Sequence, residues 1–554
     1  MITLDGRSLT IEQLAEIARD PSVKVTRDPS ANDRVAKAEA LIRRIVDKYR
    51  QTGERTYGVT TGFGEFKDKA IPPGELEQLQ RNLLLSHSVG VCGGDGAYFD
   101  AEVVRGALVT RLNAFLLGHS GVRRTMVDIV EAMINRGVVP LVPLKGSVGA
   151  SGDLCPLAHT FAILLGVGEF VVVEDRQSCL SGQARLPVVH ASELPSLLKF
   201  DAEAMKPTFK EGLALVNGVN YSASMLALGV LDGERIADLA DAAAAMTLES
   251  MCGCRAALDP RVHQARGHPG QIRSAARMRE MLEGTQLLER AGAVQDAYSL
   301  RCAPQVHGAS RDAIGFARAT AEREINAATD NPLFFPDESE GAFSAGNFHG
   351  QPIAIAADLL TIALAELASI SERRIAMLLD GNHNRRLPQN LTTRPGVNSG
   401  LMIAQYTAAS LVSENKVLSH PASVDSIPTS ANAEDHVSMS THAARKMRTV
   451  LRNAQDVLAI EFLVAAQALD WRIGMSMDPR APRREMSVEE ADEQARSFEA
   501  VQPKSVAQSI APRLRELYLR VREVSPPVVR DRALSEDLRR VREALFSAGT
   551  RTRP

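Results

Sequence analysis

Two stripes of apolar residues at helical spacing constrain this chain more than any other feature. Ile353, Ala356, Leu360, Leu364 and Leu367 form one, and Leu451, Ala454, Leu458, Phe462, Ala465 and Leu469 form the other. Residues three and four apart share one face of a helix, so each stripe runs for about four turns or more. Faces of that length need other helices to pack against, which predicts a mainly α fold with a long central helical bundle. Aromatic residues make up only 4% of the chain, while alanine and leucine are plentiful, a composition that suits helices. The most apolar stretch, Ile353 to Ile370, contains Asp358 and Glu366 and reads as a buried helix rather than a membrane span. At 554 residues the chain can bury more than one core. The expected division is an N-terminal mixed domain over 1–208 carrying two glycine-rich loops, a central long-helix bundle over 209–477, and a charged spacer with C-terminal helices over 478–554.

Charge narrows the partners. A net charge of −3 gives no global attraction to nucleic acid or to an anionic membrane, so neither is expected. The six cysteines include no Cys-x-x-Cys pair, and Cys252-Gly-Cys254 lacks a downstream ligand set at zinc spacing. No metal site is expected, and reduced thiols point to the cytoplasm. The opening Met-Ile-Thr-Leu-Asp-Gly-Arg has neither a basic nor an apolar leader region, so no signal peptide is expected.

Chemistry concentrates in Gly146-Ser-Val-Gly-Ala-Ser-Gly-Asp153. If the backbone turns tightly at Ala150-Ser151-Gly152, the Gly152 nitrogen can attack the Ala150 carbonyl. Loss of two waters then leaves a five-membered ring with Ser151 as an exocyclic methylidene. Glycines at 149 and 152 tolerate the dihedrals that closure needs. An ordinary glycine-rich turn or a phosphate loop would fit the same residues. Upstream, Ala38, Ile42, Ile45 and Tyr49 predict a helix leading to Thr52-Gly53, followed by the loop Tyr57-Gly-Val-Thr-Thr-Gly-Phe-Gly64. That loop lacks the spacing of a dinucleotide or P-loop motif. Leu79 to Val91 predicts a helix with His87 near its end, and helical patterns fill 100–135. The β-branched run Phe170 to Val173 predicts a small surface hairpin. A long helix is expected to open at Glu211 and run through Asn217-Gly-Val-Asn220, with strong helical character over Asp232 to Met251. Gln295, Tyr298 and Arg301 at i, i+3 and i+6 are expected on one helical face. Asn331-Pro332 and Gly346-Asn-Phe348-His-Gly350 are loop signals, and about 478–500 reads as an exposed spacer.

Taken together, these segments resemble the aromatic amino acid ammonia-lyases and aminomutases. The resemblance runs from about residue 3 to 475 and rests on Gly146–His159, the Tyr57–Gly64 loop, Ser413-Glu414-Asn-Lys416 and His420–Met439; the last two are most similar to the histidine ammonia-lyase branch. It implies that Ala150-Ser151-Gly152 becomes 4-methylideneimidazole-5-one (MIO), with no metal or soluble cofactor. It implies Tyr57 as the base for the substrate β-proton, with a phenol lowered by neighbouring donors because a free one near pKa ≈ 10 suits neutral pH poorly. Arg301 would fork onto the substrate carboxylate, supported by Tyr298 and Asn331. Asn217 and Gln295 would lie beside the ring, and Phe348 would pack near the methylidene. Glu414 and His87 would face the amine and the aromatic head. The implied reaction is loss of ammonia from an aromatic L-amino acid, L-histidine giving trans-urocanate. Tyrosine or phenylalanine lyases and 2,3-aminomutases use the same apparatus and are the alternatives. Family members are mostly homotetramers with shared active sites, so self-assembly around a small amino acid substrate is implied. Thr60 stands where asparagine is usual, Val219-Asn220 where histidine ammonia-lyases read Thr-Gln, and Cys92 and Cys155 are also less usual. A helical scaffold without catalysis is the reading from another class, and intact Tyr57, Ser151 and Arg301 argue against it.

Overall fold

Helices dominate the architecture, and the strands are short. The computed structural model describes residues 1–92, 98–180, 186–482 and 486–546. The chain divides into two units, Met1–Leu231 with Phe316–Asp358 and Pro421–Met447, and Asp232–Gly315 with Leu359–His420 and Arg448–Pro554. Both apolar stripes fall on long helices, Gln351–Leu379 and Ser440–Leu469. Every stripe residue is buried, Leu451 being the most exposed at 5%. The first of these helices is long and apolar enough to cross a membrane by length and composition, yet 67% of its most apolar window is buried within the protein. The mainly α class with a long helical bundle is what the structure has.

The first unit is built on the helix Ala101–Leu116, every residue of which is buried. Burial on all sides explains why its polar members, Arg105, Arg111 and Asn113, must find partners inside the protein. The helix Pro29–Thr52 ends where expected, at Gly53 with φ 72°, and the helix Leu76–His87 ends on His87. The run at Phe170 pairs antiparallel with the strand that follows it, as expected, but as the buried middle strand of a three-stranded sheet. β2 (Glu169–Val172) pairs antiparallel with β1 (Val138–Pro140) and with β3 (Val189–His190), and Phe170, Val171 and Val173 are buried. Its first partner lies some thirty residues upstream, a pairing that local pattern does not reveal. Residues 181–185 of the expected turn lie outside the described residues. The helix expected to open at Glu211 is also interrupted. Glu211–Val216 is one short helix and Asn220–Ser250 a second, with Gly218 between them at φ 141°.

In the second unit the helices bury a network of charge. Glu461, fully buried, accepts Arg374 through Nε at 2.5 Å and Nη2 at 2.8 Å, Ser371 at 2.6 Å and Thr247 at 2.9 Å. Arg374 Nη1 also lies 3.4 Å from His307 Nε2, whose Nδ1 meets Asp241 at 2.7 Å. Gln295, Tyr298 and Arg301 do not share one helix, because only Tyr298–Arg301 is helical. The expected spacer is partly structured: Ser487 caps a helix over Val488–Glu499 with a capping box, and Phe498 from that helix stacks on Trp471 at 4.0 Å.

Removing one partner of a buried ion pair strands the other charge. Glu461→Ala should therefore destabilise the protein by about 3–5 kcal/mol, and Arg374→Met with Glu461→Leu should recover most of the loss. Thermal melting of the three proteins checks this. A single variant that melts with the parent would show that Arg374 is paired elsewhere.

Candidate active site

The loop Gly146–Asp153 is held by a turn more than sixty residues away. Gly218 N donates to the Ser151 carbonyl at 3.2 Å, and Asp153 N donates to the Gly218 carbonyl at 2.7 Å. The two segments approach so closely that a Cβ on Gly152 would stand 2.3 Å from the Gly218 oxygen. Gly152 has φ 83° and must be glycine on both counts. Ser151 has no such freedom, yet it sits at φ 48°. Left-handed backbone at a serine costs on the order of 1 kcal/mol and persists only where its surroundings impose it.

Two buried charges impose it. Asp153 is fully buried and accepts from Ser222 N at 2.8 Å, Ser222 Oγ at 2.7 Å and Thr441 Oγ1 at 2.6 Å. Burial pushes its carboxyl up, and these donors oppose the rise. Arg111, also fully buried, donates to the carbonyls of Ala214 at 2.6 Å and Asn217 at 2.8 Å, and from Nε to Asn220 Oδ1 at 2.8 Å. Burial pushes its guanidinium down to about 10. Its fork takes buried carbonyls at the end of Glu211–Val216 and just after it, and fixes the turn that carries Gly218. Asn220 thus belongs to the support of the loop. Val219 is buried, and neither residue lines the cavity described below. The departures from the histidine pattern at these two positions do not touch the site.

Ser151 opens onto a cavity of about 680 Å³, lined among others by Tyr57, His87, Asn217, Ser430 and Glu434. Tyr57 lies in a loop tied from behind by Gln80, whose amide donates to the Gly58 carbonyl at 3.2 Å and accepts Leu213 N at 3.0 Å. Thr60, in place of asparagine, closes the same loop by accepting Thr56 N at 2.7 Å. Burial raises the Tyr57 phenol, the Glu434 carboxylate adds to the rise, and the Gly64 N–H bonded to the phenol oxygen opposes it. The phenol is therefore raised within this chain, not lowered as the sequence led us to expect. His87 is pushed down by burial, against a hydrogen bond to the Leu83 carbonyl and the pull of Glu434. Its Nδ1 lies 2.9 Å from the Ser86 hydroxyl. Asn217 Oδ1 is buried and has no partner among the described residues, which leaves an acceptor free for a ligand.

The carboxylate bonded to Ser151 is Glu434. Ser151 Oγ donates to its Oε1 at 3.2 Å, and Thr429 Oγ1 donates to Oε2 at 2.7 Å. Glu414, the expected one, sits on the helix Met402–Leu418 and accepts the Asn453 amide at 2.7 Å. Glu414 does not line the cavity. Sequence reasoning missed Glu434 although it lies within the quoted segment His420–Met439, two residues after Asn432. Asn331 is buried, and its Oδ1 accepts Ala345 N at 2.7 Å. Phe348 is half-buried in the loop before Gln351–Leu379. Neither lines the cavity. The remaining expected residues belong to the second unit. Gln295 is exposed and Tyr298 is 71% exposed. Arg301 lies over the Tyr298 ring at 4.6 Å, its Nε buried and without a partner among the described residues. A guanidinium presented beside an exposed phenol can fork onto a carboxylate.

The family model described as aromatic amino acid lyase matches residues 9–493. Histidine ammonia-lyase of Caldanaerobacter subterraneus subsp. tengcongensis is 50% identical over 477 residues, which is 85% of this chain and 89% of that one. The crystal structure of histidine ammonia-lyase from Trypanosoma cruzi is similar with a TM-score of 0.81 and 37% identity, covering 99% of this chain and 93% of that one. Tyrosine aminomutase from Streptomyces globisporus is similar with a TM-score of 0.82 and 32% identity, covering 98% and 96%. On the residues around Ser151 and on these likenesses across most of its length, the chain belongs to the aromatic amino acid lyase family and is a carbon–nitrogen lyase.

Proposed function

We propose that the protein removes ammonia from L-histidine without oxidation and releases trans-urocanate. The observation that carries the reading is the cavity in which a phenol, an imidazole and a carboxylate surround the left-handed Ser151. Similarity to two histidine ammonia-lyases supports it.

Ala150-Ser151-Gly152 fits the MIO group. Ser151 already holds the strained turn, and Gly152 has no side chain to obstruct closure. Once formed, the group supplies an electrophilic carbon that makes the substrate amine a better leaving group. The chain's own residues do the rest. Tyr57 takes the β-proton on its phenol oxygen, general-base work that contributes about 10²–10⁴ in rate. Arg301 forks onto the substrate carboxylate, with Tyr298 beside it. Glu434 and His87 face the amine and the polar head of the substrate, and Glu414, in the second unit like Arg301, joins them from a neighbouring copy. Asn217 offers its free carbonyl oxygen, and Gln295, Asn331 and Phe348 act from outside this chain's cavity lining, Gln295 together with Arg301. A phenyl ring would offer His87 and Glu434 no hydrogen-bonding group of its own, which disfavours it against imidazole.

Arg301 and Tyr298 come to Tyr57 from a neighbouring copy in a homotetramer. The exposure of Tyr298 and Gln295 supports this. So does the apolar surface of Met402–Leu418, where Ile403, Tyr406 and Val417 are all at least 60% exposed. The six free cysteines suit a reducing cytoplasm.

Incubation with histidine, tyrosine and phenylalanine separately, with the products resolved chromatographically, tests the substrate. Urocanate as the main product is expected. Coumarate or cinnamate would overturn the substrate and keep the chemistry. The likeness to a tyrosine aminomutase supports a second reading, and a β-amino acid product would select it. Shared sites predict complementation. Tyr57→Phe and Arg301→Met should each lower turnover by about 10² or more, and co-expression should restore part of it, because mixed assemblies contain sites with both residues intact. Mixed assemblies as inactive as either parent would place both residues in one copy's site.

A further inference from the structure

Three consecutive residues that are not glycine hold left-handed backbone at the edge of the cavity: Ser430 at φ 51°, Ala431 at 50° and Asn432 at 66°. This conformation is unfavourable for L-residues, and a run of three persists only where the surroundings over-determine it. Thr429 and Glu434 close the turn by exchanging backbone hydrogen bonds at 3.0 and 3.3 Å. The turn delivers Ser430 to the Tyr57 loop. Its Oγ accepts Glu65 N at 3.3 Å and lies so near Gly64 that a Cβ there would stand 2.6 Å from it. The next peptide back is the one whose N–H, on Gly64, bonds the Tyr57 oxygen.

We propose that Ser430 is a positioning residue for Tyr57, holding the Gly64–Glu65 backbone so that the Gly64 N–H stays aimed at the phenol oxygen when its proton leaves. This rests on Tyr57 being the base. A half-buried phenolate depends on such a donor, because a hydrogen bond to the charged form is what favours it. The other titratable groups around the cavity are Glu65 and Lys69 in the same loop, His87 on Leu76–His87 and Glu434 in the strained turn. Glu434 acts against ionisation of the phenol. The strain thereby acquires a use: one turn presents Glu434 to Ser151 and Ser430 to the loop of the base.

Ser430→Ala and Ser430→Gly both remove the hydroxyl. The first keeps the backbone cost and the second relieves it, so an effect common to both belongs to the hydroxyl. The Tyr57 phenol is titrated directly, without substrate, from the ultraviolet absorbance of each protein minus the same protein carrying Tyr57→Phe. The kcat/KM profile against pH is measured beside it. In both variants the phenol should ionise at higher pH, by about one pH unit. The rising limb of the profile should move the same way, since a base works only when deprotonated, while KM above that limb stays unchanged. An unshifted phenol, or an activity loss equal at every pH, would overturn the proposal. A Tyr57→Phe protein that keeps its turnover sinks the base reading itself, a result distinct from an unshifted phenol.

Discussion

The site depends on one close approach between two backbones, Gly218 against Ser151, Gly152 and Asp153. It leaves no room for a side chain on Gly152, and it carries hydrogen bonds in both directions. Neither segment would take this shape alone. A fully buried Arg111 gathers the carbonyls of Ala214 and Asn217 on one side, and a fully buried Asp153 gathers Ser222 and Thr441 on the other. Both charges would be costly inside the protein without such partners. Because they are satisfied by fixed groups on several elements, they act as rivets, and the left-handed Ser151 is held between them. Strain at Ser151 is thus maintained by buried polar groups that do not line the cavity.

The same arrangement explains which departures from the family pattern matter. Asn220 Oδ1 receives Arg111, and its amide donates to Thr110 at 3.2 Å. Thr60 replaces asparagine and still closes the Tyr57 loop. Both residues make hydrogen bonds in the support, and neither lines the cavity. The polar lining itself includes His87 and Glu434.

The long helices were legible because an apolar stripe must be buried, and Leu360 and Phe462 are buried as their spacing requires. The glycine-rich loops were legible because few chains need glycine where Gly152 needs it. Other features depend on contacts remote in sequence. Val219 and Asn220 are compatible with helix, and the helix breaks there through contacts remote in sequence, Gly218 with Ser151 and Arg111 with the carbonyls of Ala214 and Asn217. Phe170 reads as hairpin until its partner at Pro140 is known. Glu414 and Glu434 both lie in segments rich in signal, and spacing does not say which carboxylate faces Ser151. Their difference lies in the run of left-handed residues before Glu434, none of which is glycine.

The central claim is that the strain held at Ser151 exists to close Ala150-Ser151-Gly152 into a ring. Intact-mass measurement of the purified, active protein tests it most directly. The account predicts a chain lighter than its sequence by two water molecules, with Ser151→Ala at its full unmodified mass. Active protein at the full mass of its sequence would contradict it.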